Sequence, residues 1–404
     1  MKKTFRAQLT EPRYRFPFLL ITSLFFLWGF ARAILDVLNK HLQNVMSISL
    51  TQSALIQVTT YLGYFLMAIP AGIFINRHGY RRGVVFGLLL FGAGALLFIP
   101  GANLGGFWPF LAALFVIGCG LAFLETAANP YVTVLGPSDT STSRLNLSQS
   151  FNGLGSLFAT LAVGQFLFNG TERGGNVAIP YTLLGGVVLI IALIFIRVDL
   201  PEIHPVTETK ADTSKSSYAQ LLHRPLFVFG LLALLAYEIA EISINSYLIN
   251  FVTAKGWMTD NLASILLTGA LAFFMVGRFI GSWIMRRIRP ERMLLFCAVG
   301  STACMLLILL DSGRLSLVAL LANYLFEAIM FPTIFSLSLI GLSNLTKSAS
   351  SLLMMTPIGG CGFLLMGYLA DTVGPVIPFC IPLFGYAVVL AYAWHFRKSP
   401  GSSF

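Results

Sequence analysis

Thr182-Leu-Leu-Gly-Gly-Val-Val-Leu-Ile-Ile-Ala-Leu-Ile-Phe-Ile196 runs without a single charged side chain, and Phe16–Ala31 does the same. Strands of a membrane barrel would show short alternating segments instead, so runs of this kind are read as membrane helices. The rest of the chain agrees. Of its 404 residues 56% are hydrophobic and only 10% charged, which leaves too little polar surface for a water-soluble domain of this length. A helix crosses the hydrocarbon with about 20 apolar residues, and twelve such stretches occur, at 16–39, 51–75, 82–100, 107–135, 145–168, 180–198, 225–252, 261–285, 292–310, 315–342, 348–372 and 375–396. The expected fold class is an all-α membrane protein of twelve transmembrane helices.

The first apolar run follows Lys2, Lys3, Arg6, Arg13 and Arg15, the outline of a secretory signal. It continues through Asp36 into eleven further spans and is read as retained. Basic residues fix the orientation. With a cytoplasmic amino terminus, the inner side holds Arg77, Arg81, Arg82, Arg144, Arg197, Lys210, Lys215, Arg224, Arg286, Arg287, Arg289, Arg292, Lys347, Arg397 and Lys398 besides the five already named. The outer side holds only Lys40, Arg173, Lys255 and Arg314. Such a positive-inside asymmetry places both termini in the cytoplasm, and it accounts for the net charge of +10 without nucleic acid as a partner.

The longest polar stretch, Asp199 to Arg224, contains Asp199-Leu-Pro-Glu202, Thr207-Glu-Thr-Lys210 and Thr213-Ser-Lys-Ser-Ser217. It divides the chain into an amino-terminal six-helix bundle (1–198), a cytoplasmic linker (199–224) and a carboxy-terminal six-helix bundle (225–404). Internal repetition supports the division, and repeated halves suit a carrier that rocks one bundle against the other. Gly72-Ile-Phe-Ile-Asn76-Arg77-His-Gly79-Tyr-Arg81-Arg82 ends the second span, and Gly281-Ser-Trp-Ile-Met285-Arg286-Arg287-Ile-Arg289 ends the eighth. Each has a helix glycine followed five residues later by a basic cluster. The fourth span carries Glu125-Thr-Ala-Ala-Asn129-Pro130 and the tenth Glu327-Ala-Ile-Met-Phe331-Pro332, a glutamate five residues before a helix-breaking proline in both halves. Matching positions of this kind point to facing helices that line one cavity.

Gly72 to Arg82 resembles the cytoplasmic signature loop of the major facilitator superfamily, with Asn76 where the pattern has aspartate. Phe26-Leu-Trp-Gly-Phe30 with Asp36, Glu125-Thr-Ala-Ala-Asn-Pro-Tyr131, Arg144-Leu-Asn-Leu-Ser-Gln149-Ser-Phe-Asn152, Gly277-Arg-Phe-Ile-Gly281 and Phe331-Pro-Thr-Ile-Phe335 resemble the fucose:proton symporter family over nearly the whole chain. The resemblance implies two pseudo-symmetric six-helix halves and a bacterial symporter of a hexose or related sugar, with Asp36, Glu125, Gln149 and Asn152 serving ion coupling and sugar binding. Arg32, Leu35 and Glu327 depart from the family pattern.

Ionisable groups in mid-membrane are costly, so Asp36, Glu125, Glu238, Glu241 and Glu327 must face a wet cavity, be neutralised by a partner or bind a proton. Asp36 is assigned the coupling role, shared with Glu125, which also takes sugar hydroxyls. Gln149 and Asn152 offer amides near one another on the fifth span, and Glu241, Asn245 and Glu327 extend the polar wall. Trp28, Tyr61 and Tyr64 are candidate platforms for a sugar face, although membrane aromatics more often pack or anchor. Arg32 lies four residues before Asp36 on the same helix face; the expected role is an ion pair with Asp36, and the alternative is contact with an acidic or amidated sugar. A cation beside Asp36 would move part of the coupling to Glu125, Glu241 or Glu327. Gly72, Asn76, Arg77, Arg81, Arg82 and Arg278 are assigned to gating at the cytoplasmic face.

His41, His78, His204, His223 and His395 fall at span ends or in loops. An intramembrane enzyme is therefore disfavoured, because it would need a nucleophile and base or a metal cluster at one depth. Cys119, Cys297, Cys304, Cys361 and Cys380 lie inside spans without paired spacing and read as buried small hydrophobes. A drug exporter of the same fold would prefer a greasy pocket, and a sensor lacks an output domain here. The reading is alternating-access sugar import driven by proton symport, with sodium as the alternative ion. No cofactor or metal is expected; the partners are the sugar and the lipid bilayer, and the chain is expected to act as a monomer.

Overall fold

The computed structural model describes residues 9–104, 106–137, 140–168, 178–198, 200, 215–285, 288–342 and 345–398. Lys2, Lys3, Arg6, Arg173, His204, Lys210, the Arg286 and Arg287 of the repeated basic cluster, and most of the 199–224 linker lie outside the described residues.

The apolar runs fold as expected. Leu183, Val187, Ile190 and Ile194 are exposed along one face of helix Ala178–Arg197, while Tyr181, Leu184, Val188, Ala192 and Phe195 are buried on the other. A helix apolar all round, with one face on protein and one on the exterior, is the pattern lipid requires. The first span is the helix Arg15–Met46, the fourth Phe107–Val134, the fifth Ser141–Phe168, the seventh Pro225–Ala254, the eighth Asp260–Ile284, the ninth Pro290–Leu309 and the twelfth Cys380–Lys398.

The second and third spans form one run, Leu55–Leu96, interrupted at Gly79 (φ 85°, ψ 168°). Left-handed backbone of this kind favours glycine. A straight helix of 42 residues would reach about 63 Å, twice the hydrocarbon thickness. The chain instead doubles back at Gly79, because the fourth span touches both arms at one level: a Cβ on Gly118 would meet Thr60, and one on Gly120 would meet Phe91 and Gly87. Ten described helical stretches are long and apolar enough to cross a membrane. Dividing the Leu50–Gly101 stretch at Gly79 and adding the more polar fifth span gives twelve passes among the described residues.

Within the first half, the fourth span packs against the second and third, the first against the fifth, and the third against the sixth. Within the second half, the seventh packs on the twelfth and eleventh, and the tenth on the eighth and ninth. The halves meet along the fifth and eighth spans, the first and seventh, and the second and eleventh. The first and fifth spans approach backbone to backbone. A Cβ on Gly29 would lie 2.1 Å from the Asn152 carbonyl oxygen, and one on Gly155 would lie 2.0 Å from that of Phe26.

The paired prolines do not act alike. Pro130 lies inside the continuous helix Phe107–Val134, close enough to its end that the ring costs little more than one helical hydrogen bond, so the expected break is absent there. The tenth span does break, into Arg314–Glu327 and Met330–Ser338, and Pro332 stands in the first turn of the second piece, where its missing N–H is not needed. The eleventh span is also divided, into Thr346–Leu353, a 3-10 segment Thr356–Cys361 and Gly362–Thr372.

At the end of the bundle that carries Arg77, Arg81 and Arg82, Arg144 staples the turn between the fourth and fifth spans. Its buried guanidinium donates to the carbonyls of Val132 (3.0 Å), Thr133 (2.5 Å), Pro137 (2.9 Å) and Leu9 (2.9 Å). Gly155→Val should lower stability by about 1–3 kcal/mol through overpacking of the first and fifth spans. Gly186→Ala, at a helix position with nothing within 4 Å of an added Cβ, should instead stabilise by up to about 1 kcal/mol. Thermal unfolding of the purified variants in one detergent checks both signs.

Candidate functional site

A cavity lies between the halves at mid-bundle, walled by Trp28, Arg32 and Asp36 of the first span, Tyr61 of the second, Glu125 of the fourth, and Gln149, Asn152 and Ser156 of the fifth. The second half contributes Tyr237, Glu238, Glu241 and Asn245 of the seventh span, Leu271, Phe274 and Arg278 of the eighth, and Phe331 of the tenth. Helical periodicity explains the choice. Trp28, Arg32 and Asp36 are four residues apart, as are Tyr237, Glu241 and Asn245, so each set forms one stripe on its helix.

Arg32 does not take the place expected for it. Its Nη2 lies 3.4 Å from Glu238 Oε2 and 3.7 Å from Glu241 Oε2, and the guanidinium rests 5.7 Å from the Tyr61 ring centre. The expected pair with Asp36 is replaced because the seventh span brings two acids to the same point, and a long side chain reaches them more readily than a short carboxylate on its own helix. Glu241 Oε1 also accepts from Asn245 Nδ2 at 2.9 Å.

Asp36 and Glu125 are held by neutral donors. Ser246 Oγ donates to Asp36 Oδ1 at 2.7 Å, and Tyr64 Oη donates to Glu125 Oε1 at 2.9 Å. Ser246 in turn accepts from Gln57 Nε2 (3.0 Å), Gln57 Oε1 from Asn39 Nδ2 (3.2 Å), and Asn39 Oδ1 from Gln43 Nε2 (2.5 Å) and Ser53 Oγ (3.2 Å). Each of these bonds is donated in the direction of Asp36, while Asn39 Nδ2 also donates to the Ser53 carbonyl at 3.0 Å. The chain of bonds ties the first and second spans to the seventh, across the boundary between the halves.

The amides line the opposite wall. With its amide oriented to satisfy its neighbours, Asn152 accepts from the Trp28 indole N–H at 2.6 Å. Trp28 also packs against Phe25, with ring centres 4.0 Å apart. Gln149 Nε2 donates to Asn129 Oδ1 at 3.2 Å, and its backbone carbonyl accepts from Arg278 Nη1 at 2.5 Å. Arg278 Nε donates to the Ala328 carbonyl at 2.9 Å. Arg278 thus pairs with carbonyls, belongs to the cavity wall and joins the eighth, tenth and fifth spans.

The halves also touch beyond the cavity on both sides. Toward the end opposite the arginines, Asn44 Nδ2 donates to Asp260 Oδ2 (2.8 Å), and Thr51 N–H and Oγ1 both donate to Asp371 Oδ2 (3.0 and 2.5 Å). Toward the basic end, a Cβ on Gly72 would lie 2.2 Å from Ser351 Oγ, and Asn129 Nδ2 reaches Met354 Sδ at 3.3 Å. Of the signature residues, Arg81 caps the end of the sixth span by donating to the carbonyls of Phe195 (3.2 Å) and Ile196. Arg77 and Arg82 are exposed, and the Asn76 Oδ1 is buried without a partner among the described residues.

The cavity therefore gathers Trp28, Arg32, Asp36, Glu125, Gln149, Asn152, Glu241 and Asn245 from the sequence-derived set. It does not gather Glu327, which is fully buried behind the wall on the tenth span. Sequence reasoning missed Ser246, Gln57 and Tyr237. Tyr237 could have been found, since it stands one turn before Glu241; Ser246 and Gln57 carry no such mark.

A membrane-embedded polar cavity between two six-helix halves, closed by contacts at both ends, is the architecture of a secondary carrier. A family profile described as Major Facilitator Superfamily matches residues 19–356. The glucose/galactose transporter of Brucella abortus biovar 1 (strain 9-941) is 36% identical over 404 residues, covering 96% of each chain. The L-fucose-proton symporter of Escherichia coli (strain K12) is 34% identical over 419 residues, covering 96% of this chain and 95% of that one. The crystal structure of the transporter FucP in the outward conformation matches with a TM-score of 0.79 at 33% identity, over 96% of this chain and 100% of that chain. The chain belongs to the major facilitator superfamily and, within it, to the family of the fucose:proton symporters.

Removing the shared cation tests the electrostatics. Arg32→Gln should destabilise the protein by about 3 kcal/mol, because it leaves Glu238 and Glu241 as uncompensated neighbours. Adding Glu238→Gln should recover part of that loss. Thermal unfolding of both single variants and the double variant, read as a double-mutant cycle, gives the coupling, and additive losses would show that the ion pair has no energetic part.

Proposed function

We propose that this protein imports a neutral hexose or related sugar across a bacterial inner membrane by proton symport, with both termini in the cytoplasm and a single chain as the working unit. The reading is supported by one feature above the rest: four carboxylates line the cavity, and two of them, Asp36 and Glu125, are met by hydroxyl donors and not by an ion pair among the described residues. A carboxyl group inside the membrane without a cation partner is less costly as a neutral acid than as an ion, so it can carry a proton through the membrane without a permanent charge. Glu238 and Glu241 share the one positive charge of Arg32 and are assigned to the wall.

Sugar recognition is assigned to Glu125, Gln149, Asn152 and Asn245, whose carboxylate and amides can each donate to or accept from hydroxyl groups, with Trp28 offering an apolar ring. The names of the relatives, glucose/galactose transporter and L-fucose-proton symporter, support a monosaccharide. Arg32 is occupied by two acids, which favours a neutral substrate over an acidic one.

In the proposed cycle residues 1–198 and 225–404 move as two bundles joined by 199–224. With the cavity open outward, Asp36 takes a proton and the sugar binds. Protonation weakens Asp36 as the acceptor at the end of the Gln57–Ser246 chain, and the halves rock. Release of sugar and proton to the cytoplasm resets the carrier.

Asp36→Asn should abolish accumulation of sugar against a gradient yet retain exchange of labelled for unlabelled sugar, because the amide imitates the loaded side chain. Continued accumulation in vesicles with an imposed proton gradient would remove Asp36 from the coupling role. Gln149→Ala and Asn152→Ala should each weaken binding by about 1–3 kcal/mol, measured by calorimetric titration of L-fucose and D-galactose. Unchanged affinity in both variants would exclude the fifth span from the site.

A further inference from the structure

Glu327 is a carboxyl group that the cavity does not use. It is fully buried, and its Oε2 accepts from Asn323 Nδ2 at 2.7 Å and from Tyr386 Oη, while Oε1 has no protein partner among the described residues. The oxygen of the Asn323 amide and the hydroxyl of Tyr324 beside it are likewise buried without partners. No cation lies within ion-pairing distance of Glu327 among the described residues. The groups that face it are Tyr237 on the seventh span, Arg278 on the eighth, Cys304 on the ninth, Asn323 and Tyr324 on the tenth, and Tyr386 on the twelfth, with Glu241 at longer range. Arg278 is the one cation among them, and its donors go to the Ala328 and Gln149 carbonyls.

An ionised carboxylate in this position would have one oxygen bare in a low-dielectric interior, which hydrogen bonds on the other oxygen do not offset. Glu327 also occupies a mechanically particular place, the last residue before the break in the tenth span. The freed backbone at that break is tied to the cavity wall: the Glu327 carbonyl accepts from Tyr237 Oη at 3.3 Å, and the Ala328 carbonyl from Arg278 Nε. Tyr237 and Arg278 both line the cavity.

We propose that Glu327 is a second proton-binding site of the carrier, outside the sugar cavity, that holds a proton while the tenth span is bent as here and releases it when the bend opens. The proton is taken from water as an O–H on the carboxylate and is returned to water that reaches the group once Tyr237 and Arg278 let go of the two carbonyls. No other atom changes hands. The consequence is one more proton per sugar than Asp36 and Glu125 account for.

The transport test rests on the symport reading, while the spectroscopic test does not. In proteoliposomes, with L-fucose or D-galactose as probe according to which the unmodified protein accumulates, the proton-to-sugar ratio is read from the pH gradient that just halts net flux. Glu327→Gln, which keeps the shape and can accept from the same donors, should lower that ratio by one. An unchanged ratio in a variant that still transports overturns the proposal. Should Glu327→Gln fail to fold, the infrared spectrum of the unmodified protein at neutral pH, compared with Tyr386→Phe, decides instead. A protonated-carboxyl C=O band whose frequency moves when the Tyr386 hydroxyl is removed supports the site, and the absence of any such band overturns it. A protein that moves sugar with no proton flux would sink the symport reading, and the infrared band would still decide the state of Glu327.

Discussion

One guanidinium shared by two carboxylates governs the charge balance of the whole cavity. Arg32 reaches Glu238 and Glu241 together, so its one positive charge offsets one ionised acid of the two inside the membrane. The remaining wall carboxylates, Asp36 and Glu125, are then left to hydroxyl groups. Had Arg32 folded back on Asp36, that acid would be fixed as an ion and the seventh span would hold two like charges side by side. The geometry of one side chain thus separates acids that define the wall from acids that are free to change state.

Much of this was legible in the sequence, and the limits of legibility are physical. Continuous apolar runs mark spans because hydrocarbon tolerates little else, and the Gly79 reversal was implied by two spans separated by a basic cluster. The stripe Trp28, Arg32, Asp36 and the amides of the fifth span were readable from polarity within apolar helices. Partner choice was not. Arg32 has an acid one turn away on its own helix, and only the approach of the seventh span shows that another helix offers two. Glu125 and Glu327 occupy equivalent positions in the sequence repeat, yet one faces the cavity and the other a tyrosine behind it. The spacing to proline is the same in both; the difference is that the tenth span bends after Glu327 while the fourth remains straight.

The two halves are therefore unlike in mechanics despite their common plan. Both halves join helices by bare backbone, at Gly29, Gly118, Gly120 and Gly155 in the first and at Gly277, Gly359 and Gly385 in the second. In the second half the tenth and eleventh spans are also interrupted, and the loose carbonyls of the tenth, at Glu327 and Ala328, are held by Tyr237 and Arg278. The breaks, and not the glycine contacts, set the second half apart.

The contact of Gly29 with Asn152 carries this contrast to the sugar itself. Because no side chain separates the two backbones, Trp28, Asn152 and their neighbour Gln149 keep their mutual geometry however the bundles tilt. A bound sugar would travel as a passenger of the first half, and the second half would approach and withdraw from it. Residence time in the cavity would then depend on how readily Tyr237, Asn245, Phe274 and Arg278 retreat, and through the off-rate so would affinity.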